Sequence, residues 1–257
     1  MGVTAGLVDM VGGVVAEQSG AVVEVRGLVK DFGGLRPLRI QALELQPGDR
    51  VAISGLDAVA AEVFVNLING AIVPDTGEVR ILGQRTVDID NETDWLASLD
   101  RFGIVTRRAA LLDLLSVEQN LALPFTLDID ALPGDVRERV ARLARRVGLD
   151  DACLGCPVGD CPADDRMRLH LARALALDPA VLLLEHPTVG LDRDQVPGFA
   201  RDVADAVVGH PLVMLAITED AGFAGVVARR RLKLQAGTGT LVDARGWLDR
   251  LMGGRTG

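Results

Sequence analysis

The sequence predicts an α/β fold carrying attached antiparallel strands and an inserted helical segment, and three observations lead there. First, Arg50 to Ser54 (RVAIS) is a short apolar strand that runs into a loop, a helical pattern and a Pro74-Asp75-Thr76-Gly77 turn. A further strand (EVRIL) follows and ends at Gly83. Second, Val181 to Leu184 (VLLL) and Leu212 to Thr218 (LVMLAIT) are apolar runs of strand length, each preceded by a helical pattern, as expected of buried strands. Third, the stretch from about 106 to 165 is mainly helical in its periodicity and separates these two halves.

Taken in order, Ala21 to Val29 (AVVEVRGLV) and Leu38 to Leu45 (LRIQALEL) alternate as strands, and Pro47-Gly48-Asp49 turns the chain into RVAIS. A loop of residues 55–60 leads to a helix over Ala61 to Asn69. From Asn91 to about Asp165 the pattern is helical. Ser116, with Gln119 three residues later, has the form of a capping box. Pro133 to Val147 is amphipathic, with Val136, Val140, Leu143 and Val147 on one face and arginines on the other, and Gly148 closes it. Helices over Arg166 to Leu177 and Gln195 to Val208 precede and follow VLLL. Two short strands (RLKLQ and GTLVD) and a last helix, Arg245 to Met252, end the chain. Residues 1–20 read as an extension forming a short helix or a frayed arm, and residues 21–257 as one domain with the helical insert at about 106–165.

Composition narrows the function classes. Hydrophobic residues make up 49% of the chain, which suits a soluble globular protein with a substantial core. A formal charge of −9 argues against nonspecific nucleic-acid binding, because a phosphate backbone selects positive surfaces. No apolar run is long enough to span a bilayer, and residues 1–20 have neither a basic start nor an Ala-x-Ala site. A cytoplasmic protein is expected. Lys30 and Lys233 are its two lysines.

Four stretches carry a resemblance: Asn66 to Gly83 (NLINGAIVPDTGEVRILG), Ser116 to Leu123 (SVEQNLAL), Leu171 to Leu184 (LARALALDPAVLLL) and Pro187 to Asp192 (PTVGLD). In order and spacing the chain from about Ala21 to Asp243 is similar to the nucleotide-binding subunit of ATP-binding cassette (ABC) transporters, and within it to the lipoprotein- and lipid-export branch. The resemblance implies a P-loop NTPase (RecA-like) core with an antiparallel β subdomain and a helical subdomain. It also implies homo- or heterodimerisation, an ABC permease membrane subunit or another ABC ATPase subunit as partner, and a place at the inner face of the cell membrane. The docking region it implies is Arg107 with the helical insert.

The chemistry that this family carries is missing. Its phosphate loop, G-x-x-G-x-G-K-[ST], uses a lysine on the terminal phosphates and a hydroxyl on magnesium. The matching residues are Gly55-Leu56-Asp57-Ala58-Val59-Ala60-Ala61-Glu62, in which only the first glycine remains. Ala61 replaces the lysine, and loss of that ammonium removes about 1.5–3 kcal/mol of charge-assisted contact. Glu62 replaces the hydroxyl and, with Asp57, repels a polyanion. Phe32 matches the adenine-stacking aromatic and Arg107 the coupling-loop glutamine. Cys161-Pro162-Ala163-Asp164-Asp165 stands where the signature LSGGQ belongs. Glu185 and His186 match the magnesium-ligating aspartate and the general base, and Glu219 matches the switch histidine. Gly190-Leu191-Asp192 remains as the dimer-contact loop. The expectation is a pseudoenzyme with no catalytic, cofactor-binding or metal-binding residues, with ATP and magnesium binding lost or weak, acting as a structural or regulatory partner in a transport complex. Its rivals are an atypical ATPase that still binds or hydrolyses ATP, and a metal-binding scaffold in which Cys153, Cys156, Cys161 and His170 hold zinc.

Overall fold

Runs of Val, Ile, Leu and Ala build the central sheet of the computed structural model, which describes residues 20–88 and 99–244. The expected helix at 245–252, the extension at 1–19 and the first part of the helical stretch from Asn91 lie outside the described residues. Among the described residues ten strands form two sheets. The first is antiparallel, in the order β2-β1-β4-β5, with β1 at Val23–Lys30, β2 at Leu38–Leu45, β4 at Thr76–Ile81 and β5 at Gln84–Arg85.

The second sheet has the order β10-β9-β3-β8-β7-β6. Its parallel strands are β3 (Arg50–Ser54), β6 (Phe102–Val105), β7 (Val181–Glu185), β8 (Val213–Ile217) and β9 (Arg230–Gln235), and β10 (Thr240–Asp243) runs antiparallel at the edge. Strands β7 and β8 are buried at every position, because helices cover one face and the antiparallel sheet the other. One core, with Ile40, Leu45, Phe64 and Leu183, lies between the sheets and around helix α1 (Ala58–Ile68). The other lies against the remaining helices. These are α2 (Val117–Ala122), α3 (Gly134–Arg146), α4 (Ala163–Leu175), α5 (Val196–Ala206) and α6 (Ala221–Val227), with Phe199 stacked on Phe223 at 5.9 Å.

The α/β class, the antiparallel addition and the helical insert agree with the sequence reading, and so does the capping box. The Ser116 hydroxyl accepts from Gln119 N, and the Gln119 side chain accepts from Ser116 N. Four features differ. Helix α1 begins at Ala58 rather than Ala61, because Asp57 supplies an N-cap that shortens the loop. The region read as helical contains β6, whose four residues include Gly103 against the Ala174 carbonyl and give no alternating signal. Helix α6 was not anticipated. Finally, much of 106–133 is irregular and is held by the fully buried Asn120, which accepts from Leu112 N and donates to the Leu112 and Ser116 carbonyls.

Candidate functional site

The carboxyl ends of β3, β6, β7 and β8 converge on one edge of the parallel sheet, the edge where ligands bind in open α/β folds. They bring together the loop after β3 (Gly55 to Asp57), Arg107 and Arg108 after β6, Glu185 at the end of β7 with His186 just beyond it, and Glu219 after β8. Of the residues matched from sequence, Gly55, Glu62, Arg107, Glu185, His186 and Glu219 gather at this edge, whereas Asp164 and Asp165 stand at the start of α4.

Several of the groups matched to the family's nucleotide site are instead engaged within the chain. Asp57 takes the position of helix cap, with its carboxylate accepting from Ala60 N at 2.8 Å and its carbonyl from Ala61 N at 2.8 Å. A phosphate at a helix N-terminus uses those same N–H groups. Glu219 accepts from Gly55 N at 2.6 Å, so a second carboxylate sits on the loop's first N–H. Ala61 is 0% exposed, a methyl packed into the core at the lysine position. Gly55 itself has a packing reason to be glycine. Its φ is +91°, and a Cβ would lie 2.7 Å from the Leu234 carbonyl of β9.

Sequence reasoning missed the central residue, Arg108. Its guanidinium pairs with Glu62 on α1 and, at 2.5 Å, with Glu185 at the end of β7. Glu185 is 8% exposed, and such a carboxylate demands a cation. The repulsion expected from Glu62 is thus neutralised within the fold. The available signal was the acid itself: two carboxylates at positions facing a metal require a counter-charge, and Arg108 adjoins the matched Arg107. Arg107 turns instead to the Pro187–Asp192 loop, where it donates to the Val189 carbonyl at 3.2 Å and its guanidinium lies against the Gly190 backbone.

His186 has φ +42°, a left-handed geometry unusual for a non-glycine residue, and its backbone N–H donates to the Ile217 carbonyl. Its Nε2 is buried with no hydrogen-bond partner among the described residues. Phe32 borders a cleft of about 350 Å³ with Arg36, Arg39, Gly55, Asp57 and Ala60, so space beside the aromatic remains. At the signature position, Asp164 and Asp165 occupy the first turn of α4. Arg168 holds both and also Asp202, at 2.6, 2.9 and 2.8 Å. Asp192 belongs to the exposed turn before α5, where its N–H donates to the Gln195 side chain.

The zinc alternative does not assemble. Among the described residues no group of three or more His, Cys, Asp or Glu side chains is placed to hold a metal ion. Burial, with Asp165 and the neighbouring thiols adding to it, pushes Cys153 up to about 11, away from the thiolate that zinc needs. His170 is 8% exposed, and the charges that act on it are Arg173, Arg166 and Arg107. Burial first, and then these cations, pull it down to about 4.

A parallel sheet with a loop-to-helix turn after β3, an antiparallel sheet and a helical subdomain define a RecA-like P-loop NTPase core of the ATP-binding cassette type. The chain belongs to the ABC transporter family, whose family model matches residues 38–189. It is 30% identical over 221 residues to the methionine import ATP-binding protein MetN of Brucella abortus, covering 85% of this chain but only 58% of that protein. It is 29% identical over 202 residues to the lipoprotein-releasing system ATP-binding protein LolD of Pseudomonas syringae, covering 79% and 87%. It is also 26% identical over 216 residues to the glutamate/aspartate import ATP-binding protein GltL of Escherichia coli, covering 84% and 88%. Import and export proteins match about equally well, which does not single out the lipoprotein-export branch. In structure the fold superposes on CbiO1 of Clostridium perfringens with a TM-score of 0.74, at 18% identity over 92% of each chain. On the ATP-binding cassette MJ0796 bound to ADP and phosphate the TM-score is 0.68, at 22% identity over 85% of this chain and 96% of that one.

Proposed function

We propose that this chain is a non-hydrolysing ABC subunit, a structural or regulatory partner in a membrane transport complex. The observation that carries the reading is the bridge from Glu62 through Arg108 to Glu185. It puts a fixed guanidinium between the two positions that the resemblance assigns to magnesium ligands. With Asp57 and Glu219 on the loop N–H groups, the site supplies its own cation and its own anions. The signature end of a composite site is closed in the same way, because Asp164 and Asp165 would face a partner's phosphate with carboxylates. Neither half of a head-to-tail dimer formed by this chain is equipped for hydrolysis.

The proposed partner is a permease subunit or a second ABC ATPase subunit, engaged at the inner face of the membrane. No helix among the described residues is long and apolar enough to cross a membrane, so attachment would come through docking. The helical insert offers exposed Leu112, Leu114 and Leu127, with Leu114 95% exposed. Affinity purification of the tagged chain from detergent-solubilised membranes tests this. Recovery of a multi-span protein in a stable ratio is expected, and a monomer without membrane partner overturns the proposal.

A second reading is an atypical ATPase that binds nucleotide to drive transport. The ATP-binding relatives and the cleft beside Phe32 favour it. Micromolar ATP binding by the purified chain would select it over the first.

A further inference from the structure

We infer that the end of the sheet opposite the nucleotide edge carries a separate binding cleft for a small organic anion with an apolar body. Two confluent depressions of about 260 and 630 Å³ meet there and share Arg146, Asp178 and His210. They open at the amino ends of β3, β7 and β8, so they are distinct from the phosphate-loop site. The inference does not depend on whether that site binds ATP.

Charge and shape specify the ligand. The chain carries −9 overall, yet α3 presents Arg139, Arg142 and Arg146 to the smaller depression, which His210 also lines. Such a local reversal of sign attracts anions against the general field. Arg146 is the anchor. Its Nε donates to the Ala206 carbonyl at 2.8 Å, which fixes the guanidinium in place. Its ion-pair partner Asp178 stands 3.7 Å away with 83% of its side chain exposed, whereas the Arg146 side chain is 19% exposed. A shielded cation facing a solvated carboxylate is under-compensated, and burial, only partly offset by Asp178, lowers its pKa. Arg142 stands beside it at the rim, itself exposed, with the exposed Glu138 at 3.8 Å as its ion-pair partner. Asp178 adopts φ +50° in the turn before β7, a strained position of the kind that gathers at ligand sites.

The walls are apolar. Leu143, Leu175 and Ala176 floor the smaller depression, and Arg139 lies over the Phe125 ring at 4.0 Å, an existing cation–π platform. Pro47, Pro179 and Pro211, with Val22 and Leu212, line the larger one. Rigid proline walls lose little entropy on binding, and the larger depression falls in the range of small-molecule sites. A carboxylate or sulfonate on Arg142 and Arg146 with an aliphatic or flat body over these walls satisfies both features. The concavity favours a small molecule over a membrane surface.

Titration calorimetry with decanoate tests the site, alongside co-sedimentation with phosphatidylglycerol vesicles. Saturable decanoate binding is expected, weakened at least tenfold by Arg142→Glu and by Arg139→Glu, both exposed positions, and unchanged by Arg36→Glu in the cleft beside Phe32. Three results overturn the proposal. They are no saturable binding to the wild-type chain, wild-type affinity in both α3 variants, and vesicle binding through α3 without decanoate binding.

Discussion

Arg108→Met is the perturbation that reads the central bridge most clearly. The substitution keeps a side chain of similar reach and removes the only cation seen on Glu185 among the described residues. Glu185 is 8% exposed, and a buried charged group left without its partner costs about 1.5–3 kcal/mol. The Glu62 half of the bridge contributes less than about 1 kcal/mol, since Arg108 and Glu62 are both about two-fifths exposed. In a domain of this size each kcal/mol moves Tm by about 2–4 °C, so the variant should melt about 3–16 °C below wild type. Thermal unfolding with and without manganese supplies the second readout. With Arg108 gone, two carboxylates face each other without a counter-charge, and a divalent ion should restore part of the lost stability in the variant alone. An unchanged Tm, or equal protection of wild type by manganese, would refute the argument that a guanidinium stands where the metal belongs.

Further outcomes follow from the same structure. Rebuilding the loop and freeing its cation position, with Ala58→Gly, Ala60→Gly, Ala61→Lys, Glu62→Ser and Arg108→Gln combined, should raise ATP affinity at least about tenfold by calorimetry. Gly55→Ala should cost about 2–3 kcal/mol in chemical denaturation, since its Cβ meets the Leu234 carbonyl at positive φ. That loss should be the same with or without nucleotide. His170, held down near 4 by burial and then by Arg173, Arg166 and Arg107, is neutral in the fold and gains a proton on unfolding below about 6.5. Its effect is absent above about pH 6.5 and removes at most about 3 kcal/mol as pH falls to about 4, so His170→Asn should flatten the stability profile in that window.

Much of the fold was legible because local chemistry and tertiary packing agree. LVMLAIT and VLLL are buried at every strand position, and Ser116 with Gln119 forms the capping box that the spacing implies. Strand β6 was illegible for the opposite reason. Its four residues include Gly103, required by the close Ala174 carbonyl, and its pairing with β7 is a property of the sheet rather than of the segment. Helix α1 starts early because Asp57 acts as a cap, accepting from Ala60 N, in addition to carrying a repulsive charge. At the site, sequence spacing placed Glu62, Glu185, His186 and Glu219 together but selected Arg107 over Arg108. Arg107 and Arg108 both lie in the turn after β6, and only the positions of Glu62 and Glu185 decide which of them bridges the site.

Titration of the purified wild-type chain with ATP and magnesium by calorimetry bears most directly on the central claim. A site already filled by Arg108, Asp57 and Glu219 predicts no saturable heat up to about millimolar nucleotide, a range worth only about 4 kcal/mol of binding. Saturable binding at micromolar ATP, dependent on magnesium, would contradict it.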